Sequence, residues 1–278
     1  MSDQLKYLGQ SLIQHGKEND RIYIMKYDEQ DEDRLFKEIN QLIDKNEYGK
    51  IIAKLPKDSH HTFIDEGFVQ EAHIPEFYDK DQHCAFMAKY NKSNRRKVRN
   101  LSELSDVLST AIKKKEEAES ISVPAHCEVI RLDKEDAVEL ANIYKQVFKT
   151  YPFPVHNPEY LKQTMDDNII YFGIRENGSL VSVSSAETDP DNKNAEMTDF
   201  ATLPKYRGNK YALMLLDTME KEMRKEGYRV LYTIARAISY GMNITFAKAD
   251  YTYSGRLINN TNISGNIESM NIWYKDIS

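Results

Sequence analysis

The amino-acid sequence predicts an α/β protein of two units, a smaller N-terminal one and a larger C-terminal one, joined by a long helix. Three observations predict it. Short runs of β-branched and aromatic residues alternate with segments whose apolar residues recur at helical spacing, and this series occurs twice. Between the two series, residues 91–120 contain no glycine, proline or aromatic residue. A chain of 278 residues, 40% hydrophobic and 29% charged, has the length of two domains and enough apolar material to fill their cores. The boundaries fall at residues 1–92 for the N-terminal α/β domain, 93–124 for the connecting helix and linker, and 125–278 for the second domain. No repeat of solenoid period occurs.

In the first unit, RIYIMKY (residues 21–27) reads as the first strand, because Ile22, Ile24 and their neighbours are β-branched or aromatic. DEDRLFKEINQLIDKN follows, with Leu35, Ile39, Leu42 and Ile43 on one helical face. KIIAKL (residues 50–55) is a second strand. A short helix over residues 58–65 ends at Gly67 in a C-cap position. FVQEAHI and CAFMAKY are two further strands around a loop that holds Pro75.

The connecting segment carries Val98, Leu101, Leu104, Leu108 and Ile112 as a narrow apolar stripe at helical spacing. Its basic start, Arg95, Arg96, Lys97 and Arg99, is a solvated helix face or a phosphate-binding patch.

The second unit opens with the strand EVIRL. A helix follows with Leu140, Ile143, Tyr144, Val147 and Phe148 on one face and Asp133 as its N-cap. The loop TYPFPVHNP cannot be helical across two prolines, and YLKQTMDD is a short second helix. IIYFGIR and LVSVSSAE are strands joined at Asn177-Gly178, a hairpin signal. AEMTDFATL is the next strand, PKYRGNKYALMLLDTMEKEMRKEG a turn and long helix, and YRVLYTIAR a strand. Residues 239–249 form a short helix, and RLINNTNI with IESMNIWYKDI a closing pair of strands.

Composition removes several function classes. The net charge is −6, which argues against nucleic acid as a partner. No run approaches the length of a membrane helix, and the first residues have no apolar core like that of a secretion signal. Cys84 and Cys127 form no disulfide framework and lack metal-ligand spacing, so both are expected to be structural and no metal is expected. A cytoplasmic protein is expected.

The most informative stretch is ATLPKYRGNKYALMLLDTMEKEM. A strand runs through a turn with Arg207 and Gly208 directly into a helix. The first N–H groups of that helix lack intrahelical partners and lie at its positive end, so such a turn can hold a diphosphate. An ordinary strand-to-helix turn is the alternative.

These residues, with the element order of residues 126–278, resemble the GNAT superfamily of acetyl-CoA-dependent N-acyltransferases. Arg207 and Ala212 fit the ends of that superfamily's phosphate loop, while Lys210 stands where its middle glycine is expected. GKIIAKLP, EAHIPEFY, YPFPV, SGRLINNTNI and MNIWYK further resemble the bacterial and archaeal β-lysine N-acetyltransferases over nearly the whole chain. The resemblance implies a C-terminal GNAT-like mixed-sheet domain. It also implies acetyl transfer from acetyl-CoA, with no metal, to the ε-amine of β-lysine, a small-molecule substrate whose product is a compatible solute. A homodimer is left open. The alternatives are acetylation of another small amine or a protein lysine, and an acetyl-CoA-binding regulatory module without catalysis.

An alkyl ammonium with a pKa near about 10.4 must lose a proton before it can attack a thioester, so a carboxylate base is required. The resemblance points to Glu196, eleven residues before Arg207, with Asp199 as its competitor. On a regular strand the two face opposite sides unless a bulge intervenes. Phe200, Ala201, Thr202 and Leu203 would pair with the pantetheine arm, and Arg207, Gly208, Asn209, Lys210, Tyr211 and Ala212 would hold the diphosphate. Asn243 is a further cofactor contact. Phe246 stands where many GNAT members have an acidic tyrosine, so Tyr240 or Tyr251 would substitute as proton donor. For the acceptor, the resemblance and the stiff loop suggest Tyr151, Phe153 and His156, with Arg256, Asn259 and Asn260 reading its carboxylate and amine.

The N-terminal unit has the element order of the second half of a GNAT domain. It is expected to be a degenerate half-copy that serves as a platform or lid. Its equivalent of the phosphate turn, residues 28–33, carries five carboxylates and would repel a diphosphate.

Overall fold

Alternation within strands sorts the chain into two sheets. The computed structural model describes residues 3–79, 82–116, 121–263 and 265–278. Its first part comprises β1 (Gln4–Leu8), β2 (Ser11–Gly16), β3 (Arg21–Lys26), α1 (Glu32–Asn46), β4 (Lys50–Pro56), α2 (His60–Asp65), β5 (Val69–Asp79) and β6 (Gln82–Tyr90). Two helices follow, α3 (Ser93–Arg96) and α4 (Leu101–Lys115). The second part comprises β7 (Cys127–Arg131), α5 (Ala137–Val147), α6 (Pro158–Asp166), β8 (Ile169–Glu176), β9 (Ser179–Asp189), β10 (Asn194–Thr202), α7 (Tyr211–Lys225), β11 (Val230–Arg236), α8 (Tyr240–Lys248), β12 (Thr252–Ile263) and β13 (Asn266–Asp276). The sheets run β1-β2-β3-β4-β6-β5 and β12-β13-β11-β10-β9-β8-β7.

The two orders share one plan. In each sheet one strand pairs in parallel with the next in sequence, β3 with β4 and β10 with β11, across an intervening helix, α1 or α7. In each, the following pair of strands completes the edge antiparallel, β6 then β5 and β13 then β12. The N-terminal unit thus repeats the second half of the C-terminal one, as its element order predicts. The acidic turn before α1 is turned to structure. The carboxylate of Asp31 accepts from the N–H groups of Gln10 and Ser11, at 2.7 and 2.9 Å, and so fastens the β1–β2 turn.

Three features depart from the sequence reading. The β1–β2 hairpin was not expected, because Leu5 and Tyr7 are exposed and the stretch lacks the apolar alternation of a half-buried strand. β5 runs through Pro75 to Asp79, with irregular pairing beyond Ile74. The connecting helix is broken at residues 97–100, so Val98 lies outside it. The buried face of α4 is Leu104, Val107 and Ala111, which packs on α8, while Leu101 and Ile112 are exposed. Residues 117–120 of the predicted connecting segment lie outside the described residues. Arg95 is neither solvated nor a phosphate ligand. It is buried, pairs with Asp20 at 3.3 Å and donates to the carbonyls of Asn19 and Asn259.

The two sheets meet in one apolar cluster in which Ile52, Ile74, Phe77 and Phe86 pack against Tyr232, Leu257, Met270 and Ile272. The equivalent edge strands β5 and β12 touch there. Ser254 Oγ accepts from the His73 N–H at 3.0 Å, and the buried Lys50 ammonium bridges Glu71 and the Ile258 carbonyl, both at 2.7 Å.

Candidate active site

The central opening of the C-terminal sheet lies between β10 and β11. These parallel strands pair only over Asn194, Ala195 and Glu196 against Val230, Leu231 and Tyr232. β10 continues to Thr202 and β11 to Arg236 without pairing to each other, so two strand edges diverge and expose backbone groups. An extended ligand can add to such an edge. Residues 200–203 supply it: Ala201 and Thr202 are held from the other side by Val183 and Ser182 of β9, and the Leu203 N–H by the Val181 carbonyl.

The strand leads into the turn before α7. Gly208 has φ +88° and Lys210 has φ +60°, both left-handed. A glycine, which the resemblance expects at position 210, would suit this φ, and a side chain is tolerated there at about 1–2 kcal/mol. The first bonds that close the helix run from the Leu213 and Met214 N–H groups to the Lys210 carbonyl, so the N–H groups of Tyr211 and Ala212 have no intrahelical acceptor. The Tyr211 side chain is structural, with its hydroxyl 2.6 Å from Glu176 Oε2, and only its backbone faces the helix end. Arg207 Nε donates to the Thr202 carbonyl at 3.3 Å, and Asn209 Nδ2 to that of Tyr206 at 3.2 Å. A hollow beside this helix start is lined by Lys210 of the turn, Leu213 and Met214 of α7, and Ile244, Thr245 and Lys248 of α8.

On the other side of β10, a second cavity lies between the two sheets. Ala195 and Met197 point into the hydrophobic core, so Glu196 and Thr198 face the opposite way, into this cavity. A β-bulge between Thr198 and Ala201 then breaks the alternation, and Asp199 at φ +55° turns to the same side. Glu196 and Asp199 therefore line one cavity. Asp199 accepts from the hydroxyls of Tyr151 and, at 2.7 Å, Ser185.

A third carboxylate, Glu187 of β9, stands directly across the ladder from Glu196. Like charges at opposed positions repel. Burial first, then Glu196 and Asp199, push Glu187 well above the usual carboxylate range. Burial raises Glu196 to about 7, against the opposing pull of Lys54 and a hydrogen bond with Tyr232. Burial also raises Asp199, against the hydrogen bonds from Tyr151 and Ser185. Lys54 belongs to β4 of the N-terminal sheet. Its ammonium donates to the Tyr232 hydroxyl at 3.3 Å and lies over the rings of Phe77 and Tyr232. The N-terminal unit also contributes Gln14, Arg21, Tyr23 and Met25 to the cavity walls.

Of the residues suggested for the acceptor, Tyr151, Phe153 and Asn260 line this cavity, whereas the others lie elsewhere. His156 lines a separate hollow beyond the loop. Arg256 donates to Asn271 Oδ1 at 2.9 Å and the Leu104 carbonyl at 3.0 Å, and so holds α4. Asn259 Nδ2 donates to the carbonyls of Arg95 and Lys97 and pins the break between α3 and α4. Asn243 spends both N–H groups on the Arg236 and Ser239 carbonyls, and its oxygen on Asn271 and Trp273. That side chain has no capacity left for a cofactor. Phe246 is buried edge-on between Phe200 and Tyr251, and the Tyr251 ring is itself in the core. Tyr240 is on the surface, its hydroxyl donating to Asp106.

Glu187, Lys54, Tyr23 and Arg21 were not singled out from the sequence. The available signal was a charged residue inside an apolar strand, as Lys54 is within KIIAKLP and Arg21 at the head of RIYIMK. Among the described residues, no group of three or more His, Cys, Asp and Glu is arranged to hold a metal ion. Nor is any helix among them long and apolar enough to cross a membrane.

Comparison with known proteins adds to this geometry. Residues 137–240 match the acetyltransferase (GNAT) family. The chain is 41% identical over 274 residues to a β-lysine N(6)-acetyltransferase of Methanococcus maripaludis, covering 96% of this chain and 97% of that one. It is 32% identical to N-acetyltransferase YodP of Bacillus subtilis, covering 96% of each. Among solved structures, the ribosomal-protein-S18-alanine N-acetyltransferase of Escherichia coli superposes with a TM-score of 0.48 at 16% identity, over 55% of this chain and 94% of its own.

Proposed function

Since the chain belongs to the acetyltransferase (GNAT) family and, within it, to the β-lysine N6-acetyltransferases, we propose that it acetylates the ε-amine of β-lysine with acetyl-CoA. The observation that carries this reading is the meeting of Glu187, Glu196 and Asp199 in one cavity beside the β10–β11 opening. A buried group of carboxylates with Lys54 as the neighbouring cation favours a positively charged guest, and a diamino acid brings two ammonium groups.

Glu196 is the general base in this reading. At about 7 it is divided between its two forms near neutral pH, so it accepts the proton of the incoming ammonium and returns it to solvent. Asp199 and Glu187 hold the charge of the guest, whose ammonium draws Glu187 back toward its ionised form. The free amine then attacks the thioester carbon, the C–S bond breaks to release the CoA thiolate, and the nitrogen gives up its second proton to solvent. The diverging edge at residues 200–203 fixes the pantetheine arm, and the N–H groups of Tyr211 and Ala212, with Gly208 and Arg207, hold the diphosphate. No tyrosine is required as acid, because a thiol with a pKa near about 8.5 departs readily as thiolate. The buried Phe246 is compatible with that route.

The product chemistry supports the same substrate. Acetylation removes the charge of the ε-ammonium and leaves one carboxylate and one ammonium, a neutral zwitterion suited to a compatible solute in the cytoplasm. Release of the CoA thiol with acetyl-CoA and β-lysine, α-lysine, ornithine, spermidine or a lysine peptide tests the reading. Rapid release with β-lysine is expected. Release confined to another amine would replace the substrate, and none with any amine would remove catalysis.

A further inference from the structure

We propose that Arg21 and Asn260 form a receptor for the carboxylate and the neighbouring ammonium of the acceptor amino acid, so that the N-terminal unit sets substrate specificity. This rests on the reading of the cavity as the acceptor site. Arg21 is only 4% exposed and lines the same cavity as the three carboxylates. Its guanidinium donates to the Asn260 carbonyl at 2.7 Å, Thr261 Oγ1 at 3.0 Å and Gln14 Oε1 at 3.2 Å, all neutral acceptors. Among the described residues its Nε–H has no partner although it is buried. Arg95 nearby shows the ordinary solution, an ion pair with Asp20. No carboxylate among the described residues pairs with Arg21 within 4.0 Å, and the charge of Asp3 reaches it only from farther off. A buried guanidinium so placed suits a carboxylate above other partners.

Asn260 supplies the complementary half. It is 3% exposed, and its Oδ1 has no partner although its Nδ2 donates to Thr261 Oγ1. One unmet donor and one unmet acceptor thus lie on residues already hydrogen-bonded to each other. A carboxylate takes the donor, and an ammonium close to it takes the acceptor. The second ammonium of a diamino acid is left to Glu187, Glu196 and Asp199. Tyr23 lies between the two poles, its ring 5.2 Å below the Arg21 guanidinium and its hydroxyl subject to the charge of Glu196.

Three acceptors separate these roles: β-lysine, 1,4-diaminopentane (the same molecule without its carboxylate) and 6-aminohexanoate (without its β-amine). Wild type is expected to prefer β-lysine to both, in kcat/KM. Arg21→Met is expected to lower the ratio of β-lysine to 1,4-diaminopentane by about 10- to 100-fold, the size of a lost charged hydrogen bond. Asn260→Leu should instead lower the ratio of β-lysine to 6-aminohexanoate. Arg21→Lys, which keeps the charge and loses the fork, should fall between Arg21→Met and wild type. Equal loss on all three acceptors would make Arg21 a strut between β3 and β12 and overturn the receptor. If wild type turns over none of them, the substrate reading fails separately. Calorimetric binding of β-lysine and 1,4-diaminopentane to wild type and Arg21→Met then decides the receptor: weaker binding of β-lysine alone supports it, and unchanged binding overturns it.

Discussion

Asp199 accepts a hydrogen bond from Tyr151, a residue of the proline-stiffened loop, because the bulge in β10 turns it out of the strand's alternation. Ser185 donates to it as well, at 2.7 Å, and the Thr198 hydroxyl adds to the same effect. Tyr151→Phe removes one donor from a buried carboxylate, which should cost about 1–3 kcal/mol. The bond favours the ionised form, so its loss raises Asp199 further. Destabilisation should therefore be larger at pH 8 than at pH 5, by chemical denaturation at each pH.

Glu196 carries a pH dependence of defined sign. Its carboxyl is raised by burial to about 7, and the base form exists above that value. Activity as kcat/KM should rise through an acid limb near pH 7. Lys54→Met removes the cation that lowers both Glu196 and Glu187, so the limb should move to higher pH. Glu196→Gln should lower kcat by about 10²–10⁴-fold and abolish the limb. The linked effect on stability runs the other way. A carboxyl raised on folding favours the fold below its unfolded value near 4.5, and that contribution is lost as pH rises through about 7. Glu196→Gln should flatten this part of the stability profile, read from Tm across pH 4 to 8.

Local signals carried much of the fold. Asn177 and Gly178 both have positive φ, as the Asn-Gly hairpin requires. Asp133 caps the single 3-10 turn Lys134–Asp136 that leads into α5, so the α-helix itself starts one turn later than the sequence suggested. The half-copy was legible because it is a matter of element order. The site was legible only where it follows the strand into the α7 turn. That Asp199 joins Glu196 depends on one bulge, which alternation alone cannot locate. Glu187 lay unnoticed in LVSVSSAE because its importance comes from the residue across the ladder, Glu196. Arg256 and Asn259 were misplaced for a related reason. Their strand, β12, also meets α3 and α4, and their polar groups are spent there.

The turn before α7 separates backbone shape from charge. Lys210→Gly suits φ +60° and restores the family's residue, so strain relief and added chain entropy should offset to within about 1 kcal/mol. Gly208→Ala meets no atom within 4 Å, and its only fault is φ +88°. It should cost about 1–2 kcal/mol and weaken acetyl-CoA binding by misdirecting the N–H groups. If backbone geometry governs the loop, Gly208→Ala raises the KM for acetyl-CoA more than Lys210→Gly does. The reverse order would show that the lysine charge dominates.

Contact between the two units can be loosened at one atom. A Cβ on Gly255 of β12 would stand 2.2 Å from the Glu71 carbonyl oxygen and 2.8 Å from Ala72 Cα. Neither strand can easily yield. Glu71 is fixed by the Lys50 ammonium at 2.7 Å and by the Ile258 N–H at 3.0 Å. Gly255→Ala should therefore destabilise by at least about 1–3 kcal/mol, as overpacked cores do. The damage should be selective, because Arg21 and Lys54 reach the carboxylate cavity from the N-terminal sheet, whereas the α7 turn and the β10 edge belong to the other sheet. In the folded variant the KM for β-lysine should rise, while that for acetyl-CoA should move by less than about threefold. Equal changes in both would mean that the strain spreads through β11 to the whole opening, and that the N-terminal unit supports the fold of the site more than its specificity.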